Sequence, residues 1–230
     1  MNALAIITAR GGSKRIPRKN VKPFLGKPII EYSIDAALKS QVFSEVMVST
    51  DDQEIADIAK KAGAQVPFFR SEATSNDYAT TLDVLLEVVS EYEKRGKSFD
   101  YICCIYPTAP FITEDAIKQA METLVNEQAD TVFPVVKFSF PPQRAMIVED
   151  GCLKAKWPEN TQKRSQDLEP FYHDCGQFYC LNVKSFLEQK AIMMKKVLPF
   201  YQDEINVQDI DTLEDWKIAE MKYQILHGEK

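Results

Sequence analysis

The order in which apolar runs and helical stretches follow one another constrains this chain more than any single residue does. ALAIIT (3–8) reads as a strand, and PIIEYSIDAALKS (28–40) carries apolar residues at helical spacing. EVMVST (45–50) is a second strand, and DQEIADIAKKAG (52–63) is a helix closing on a glycine. TTLDVLLEVVSEYEKRG (80–96) is a longer helix. FDYICCIYP (99–107) is a continuous apolar run of the kind buried on both faces. TEDAIKQAMETLVNEQ (113–128) opens with a Thr N-cap and early acids, and DTVFPVV (130–136) is again a strand. Such alternation predicts an α/β fold around a mostly parallel sheet.

The pattern breaks near 137. Residues 137–170 hold prolines, short alternating runs and an Asp150-Gly151 turn signal, which together read as a hairpin-rich excursion from the sheet. Regular elements resume with GQFYCLN (176–182), a helix from about 184, a strand near VLPFY and a final helix from Thr212. We read 1–230 as one domain with 137–170 inserted as an arm. That arm is too poor in apolar residues for a core, yet it carries Phe138, Phe140, Met146, Ile147 and Trp157. A partner subunit covering these side chains is the expectation.

Several function classes drop out on composition. No apolar run is long enough to span a membrane, and the N-terminus lacks the basic region of a signal peptide, so a cytoplasmic location is expected. Five cysteines without a C-x-x-C pair and two distant histidines argue against a disulfide framework or a zinc site. A net charge of −6 points away from nucleic acid. The charge is uneven, however. The first thirty residues hold no Asp or Glu but include Arg10, Lys14, Arg15, Arg18, Lys19, Lys22 and Lys27. A basic segment on an acidic chain suggests a local anionic ligand.

That segment contains TARGGSKRIPRKN (8–20), directly after the first strand, where open α/β sheets bind ligands. Gly11 and Gly12 would let the backbone approach a phosphate, Arg10, Lys14 and Lys19 would supply charge, and Asn20 a hydrogen bond. Arg10 and Lys19 are the candidates for stabilising charge as a pyrophosphate leaves. Neither a P-loop nor a G-x-G-x-x-G fingerprint is present. The blander alternative is a basic surface loop without chemistry. Further along, Asp209 and Asp211 stand two apart in QDIDT, a spacing that puts both carboxylates on one side of an extended segment. Two carboxylates with phosphate oxygens suit Mg²⁺. Helix capping by Asp211 or Thr212 is the competing account.

ARGGSKRIPRKN followed by GKPII resembles the signature of the CMP-sialic acid synthetase family. The resemblance continues through STDD (49–52), RSEATSNDYATTLDV (70–84), YPTAPF (106–111) and VQDIDTLEDW (207–216), in order along nearly the whole chain. It implies a Rossmann-like nucleotidyltransferase sheet, a homodimer, and attack of a sugar's anomeric hydroxyl on the α-phosphate of CTP. By matching position, Arg10, Gly11, Gly12, Lys14, Lys19 and Asn20 would hold the phosphates, and Arg70, Ala79 and Thr81 would frame the cytosine. Arg144 resembles a cation presented to the sugar carboxylate from the partner subunit. DCGQFYC (174–180) resembles a strand lining the sugar pocket, with Gln177 and Tyr179 as contacts. Sialic acid synthetases read Gln-Pro-Thr-Ser-Pro where this chain has Tyr106-Pro107-Thr108-Ala109-Pro110. Tyr106 in place of the glutamine resembles the pseudaminic acid branch. Two other readings compete: a glycosyltransferase using Asp209-Ile210-Asp211 as a D-x-D motif, and a non-catalytic nucleotide-binding module.

Overall fold

The computed structural model describes residues 1–228. In chain order its elements are β1 (Ala3–Thr8), β2 (Pro23–Phe24), β3 (Lys27–Pro28), α1 (Ile29–Ser40), β4 (Glu45–Ser49), α2 (Gln53–Lys61), α3 (Glu72–Ser75), α4 (Thr81–Lys94), β5 (Tyr101–Ile105), α5 (Glu114–Asn126) and β6 (Thr131–Lys137). They continue with β7 (Met146–Glu149), β8 (Cys152–Ala155), β9 (Tyr172–Asp174), β10 (Phe178–Asn182), α6 (Val183–Gln189), β11 (Val197–Gln202) and α7 (Leu213–His227). The central sheet runs β11-β6-β10-β5-β1-β4, with β9 also on β6. β4, β1 and β5 are parallel, as are β6 and β11. β10 runs antiparallel between β5 and β6, and β9 continues it along β6. The expected α/β sheet is thus present, mixed rather than purely parallel because β9 and β10 point the other way.

Period-two alternation in β1 builds both faces of the core. Ala3, Ala5 and Ile7 pack with Ile30 and Ile34 of α1, Ile55 of α2 and Ile117 and Met121 of α5. Leu4 and Ile6 pack on the other face with Val84, Leu85 and Val88 of α4 and Phe186 of α6. A smaller cluster joins Phe24, Tyr32 and Ile16 to Ile210, Trp216 and Ala219. This last cluster pins the start of α7 beside the loop that follows β1.

Residues 138–170 lie outside the central sheet, while Lys137 still closes β6 against Tyr172. β7 and β8 form an antiparallel hairpin whose Asp150-Gly151 turn has φ of 51° and 75°. Both signs match the type I′ turn that Asp-Gly favours. Phe140, Met146, Val148 and Leu153 stand 65–88% exposed on this arm. No helix among the described residues is long and apolar enough to cross a membrane.

Candidate functional site

A cleft of about 740 Å³ opens beyond the carboxyl ends of β1 and β5. Arg10, Gly12, Lys14, Lys19, Asn20, Arg70, Ala79, Thr81 and Tyr106 all line it. Residues up to 96 positions apart thus meet because three loops cross the same end of the sheet. Arg10 and Lys14 converge on one carboxylate: Asp77 lies 3.1 Å from the Arg10 guanidinium and 2.5 Å from the Lys14 ammonium. Lys14 first, then Arg10, hold the Asp77 carboxyl below its ordinary range. Two cations gripping a carboxylate in an open cleft is the arrangement an anionic ligand needs. Sequence reasoning passed over Asp77. Its partners lie more than sixty residues away, so nothing local marks it.

Asn20 is buried and donates to the Arg10 carbonyl at 2.8 Å, which ties the short 3₁₀ turn over 19–21 to the loop after β1. The Arg70 guanidinium donates to the carbonyl and hydroxyl of Ser49 at the end of β4. Thr80 caps α4 through a reciprocal pair with Asp83, so Thr81 begins the helix and its hydroxyl sits 3.1 Å from the Tyr106 hydroxyl. The Ala79 N–H donates to the Asn76 side chain, which leaves its carbonyl as the backbone group to offer a base.

Gly11 has a different task from the one expected. Its N–H donates to Asp51 at 2.8 Å, and a Cβ added there would meet the Asp52 side chain at 2.8–2.9 Å. Gly11 therefore permits close packing against the N-terminus of α2, and only Gly12 lines the cleft. Asp52 caps α2 through the Ile55 N–H and receives two hydrogen bonds from Arg18. Those Arg18 bonds, opposed by burial, hold its carboxyl below the ordinary value. The stability Asp52 contributes is present above about pH 4 and is lost as pH falls through its depressed folded-state value. Gly11→Ala must push Asp52 aside, so we expect a destabilisation of roughly 1–2 kcal/mol, the scale of a lost N-cap. Thermal melts at neutral pH check it, and an unchanged Tm rejects it.

Lys19 reaches across to the segment before α7. Its ammonium donates to the Ile210 carbonyl at 2.7 Å and lies 3.8 Å from Asp211. Burial lowers its pKa, while Asp211 and Asp209 oppose that shift. Arg15 also pairs with Asp211, at 2.6 Å. Ile210 is 1% exposed, which turns the side chains of Asp209 and Asp211 outward on either side of it. The capping question has a clear answer: Thr212 is the N-cap of α7 and Asp215 closes the box. Neither the Asp209 nor the Asp211 carboxylate is spent on the helix. Among the described residues no cluster of three or more His, Cys, Asp or Glu could hold a metal by itself. Two outward carboxylates nevertheless fit Mg²⁺, which takes one or two protein carboxylates beside phosphate oxygens and water.

Asp209 lines a neighbouring cavity of about 460 Å³, with His173, Asp174, Cys175, Gly176 and Lys222. Of the expected sugar contacts, Tyr106 lines the cleft, whereas Gln177, Tyr179 and Arg144 line neither cavity. Gln177 is buried, its amide donating to the Asn206 carbonyl. Tyr179 is 7% exposed and packs between Tyr106 and Phe133. Alternation along β10 could not reveal this, because β10 is buried on both faces. Arg144 bonds to Ser165 on the arm and shares no cavity with the cleft.

A family model described as cytidylyltransferase matches residues 4–202. A pseudaminic acid cytidylyltransferase of Campylobacter jejuni is 41% identical over 228 residues, covering 99% of this chain and 98% of that protein. A CMP-N,N'-diacetyllegionaminic acid synthase of Legionella pneumophila is 33% identical, covering 96% and 95%. The solved structure of CMP:2-keto-3-deoxy-manno-octonic acid synthetase complexed with CTP superposes with a TM-score of 0.69 at 17% identity, covering 99% of this chain and all of that one. That likeness speaks for the fold alone. With the family model spanning most of its length and relatives this similar end to end, the chain belongs to the cytidylyltransferase family.

Proposed function

We propose that this protein couples CTP to a nine-carbon acidic sugar, with pseudaminic acid preferred, and releases pyrophosphate. The observation that carries the reading is the convergence of Arg10 and Lys14 on a carboxylate in the cleft beyond β1, with Lys19 nearby. The 41% identity to a pseudaminic acid cytidylyltransferase supports the sugar class. In this reading the triphosphate replaces Asp77 between Arg10 and Lys14, while Arg70, the Ala79 carbonyl and Thr81 frame the cytosine. The sugar lies toward the cavity beside Asp209, bordered by residues 174–176. Its anomeric oxygen attacks the α-phosphorus in line. The bond to the bridging oxygen breaks, and negative charge grows there and on the leaving pyrophosphate. Lys19 and Arg10 are fixed cations for that charge. Mg²⁺, held by Asp209 and Asp211, would neutralise phosphate oxygens.

The sugar preference rests on Tyr106. Its hydroxyl is taken up by Thr81, so it offers the cleft a ring where a glutamine would offer an amide. A wall built this way gains nothing from an extra sugar hydroxyl. Pyrophosphate release with CTP, Mg²⁺ and each of pseudaminic, legionaminic and sialic acid tests the proposal. We expect kcat/KM for pseudaminic acid to exceed that for sialic acid by roughly tenfold or more, and Tyr106→Gln to narrow the gap. A preference for sialic acid would reject the Tyr106 argument alone. No pyrophosphate with any of these sugars would reject the whole reading.

The exposed apolar arm supports a homodimer that brings Arg144 to the partner's sugar carboxylate. Sedimentation is expected to show a dimer, and a fully active monomer would overturn it. A cytoplasmic location, where CTP is made available, belongs to the same proposal.

A further inference from the structure

We infer that Asp174 is a positioning residue for sugar recognition, acting through Tyr179 on Tyr106. The inference rests on the cytidylyltransferase reading above. Thr81 and Tyr106 line the larger cavity, and Asp174 lines the smaller one beside Asp209. Buried Tyr179 links the two, touching Tyr106 of the larger and Asp174 of the smaller. Its ring stands edge-on to Tyr106 at 5.6 Å and tilts against Phe133 at 5.5 Å. The Tyr179 hydroxyl donates to one Asp174 oxygen, and the other oxygen accepts the Gly176 N–H at 2.7 Å. Gly176 has φ of +60°, so the chain turns sharply there and holds Asp174 against β10.

Tyr106 is held on every side. Its N–H donates to the Gln177 carbonyl at 2.8 Å, and its carbonyl accepts from Ser33 at 2.8 Å. Thr81 meets its hydroxyl from the nucleotide side. The remaining freedom is rotation of the phenol, and the Tyr179 ring, locked by Asp174, limits it. Burial pushes both phenols above their ordinary pKa, so they stay neutral. A buried hydroxyl deprived of its partner would turn to find another. Asp174 borders the sugar cavity, but both its oxygens are engaged by Tyr179 and Gly176, so it sets the Tyr106 wall of the sugar site through Tyr179.

The test compares wild type, Asp174→Asn, Tyr179→Phe, Tyr106→Phe and the Asp174→Asn/Tyr106→Phe double variant with CTP, Mg²⁺ and pseudaminic acid. Asp174→Asn and Tyr179→Phe are each expected to raise the sugar KM about tenfold, the effect of one lost hydrogen bond to a charged group. KM for CTP should stay within about twofold, since neither substitution removes a group placed on the nucleotide. In the Tyr106→Phe background, Asp174→Asn should add less than about threefold, because contacting residues are not additive. Tyr179→Phe keeps the ring packing, so it decides the matter if Asp174→Asn folds poorly. Variants with unchanged sugar KM, or with CTP and sugar KM raised alike, overturn the inference. If wild type itself releases no pyrophosphate, it is the cytidylyltransferase reading that fails.

Discussion

Lys19→Ala is expected to lower kcat by roughly 10²–10³ at saturating CTP and sugar, the scale of removing one positioned group that stabilises developing charge. The side chain is suited to that task by where it is held. Its ammonium is fixed by the Ile210 carbonyl and Asp211 rather than left mobile in solvent. It lines the cleft with Arg10 and Lys14, which already grip an anionic group in the form of Asp77. Arg10 shares that proposed role but is more exposed, and Lys14, more exposed still, would bear mainly on ground-state binding. Lys19 is more enclosed, with its side chain only 20% exposed, so its charge is less screened. Uniform binding would change KM, whereas an interaction that strengthens as pyrophosphate departs changes kcat. Pyrophosphate release under saturating substrates checks the prediction. Near-normal turnover would make the loop after β1 a surface feature.

The framework of this molecule was legible from local pattern. β1 spans Ala3–Thr8, as ALAIIT suggested, and α1, α2, α4 and α5 begin within a residue of the starts that the sequence pattern gives them. The hairpin turn at Asp150-Gly151 followed from backbone sterics alone. Within the cleft, the residues carrying a local signal were found: the basic loop, and Arg70, Ala79 and Thr81 through the resemblance. What sequence did not disclose depends on distant pairing. Asp77 has no meaning until the loop over 71–80 is laid against Lys14. Gly11 looked like a phosphate glycine, yet its lack of a Cβ is needed by Asp52, forty-one positions on. Tyr179 looked like a sugar contact, but on a strand covered on both faces no periodicity separates lining from core. Whether Asp211 or Thr212 capped α7 was undecidable until the Thr212–Asp215 pair was seen.

That capping pair makes the two carboxylates testable without disturbing the helix. Asp209→Asn and Asp211→Asn keep side-chain shape and remove charge, and the Thr212–Asp215 box that starts α7 stays intact. Tm should therefore change little. Turnover at limiting Mg²⁺ should fall by about 10² or more, since metal stabilisation of phosphate charge is worth several kcal/mol. The two variants are expected to differ in an informative way. The Asp211 carboxylate pairs with Arg15 and Lys19, so neutralising it removes a proposed metal ligand and frees two cations at once. The Asp209 carboxylate has no hydrogen-bond or ion-pair partner among the described residues. Its loss should appear chiefly as weaker metal binding, partly offset by excess Mg²⁺. Mn²⁺ binding in the presence of CTP, followed by electron paramagnetic resonance, gives a readout independent of turnover. Weakened binding in both variants supports a shared site. Unchanged Mn²⁺ binding together with unchanged activity at limiting Mg²⁺ would remove both aspartates from the metal site and leave Asp211 as the ionic anchor of Lys19.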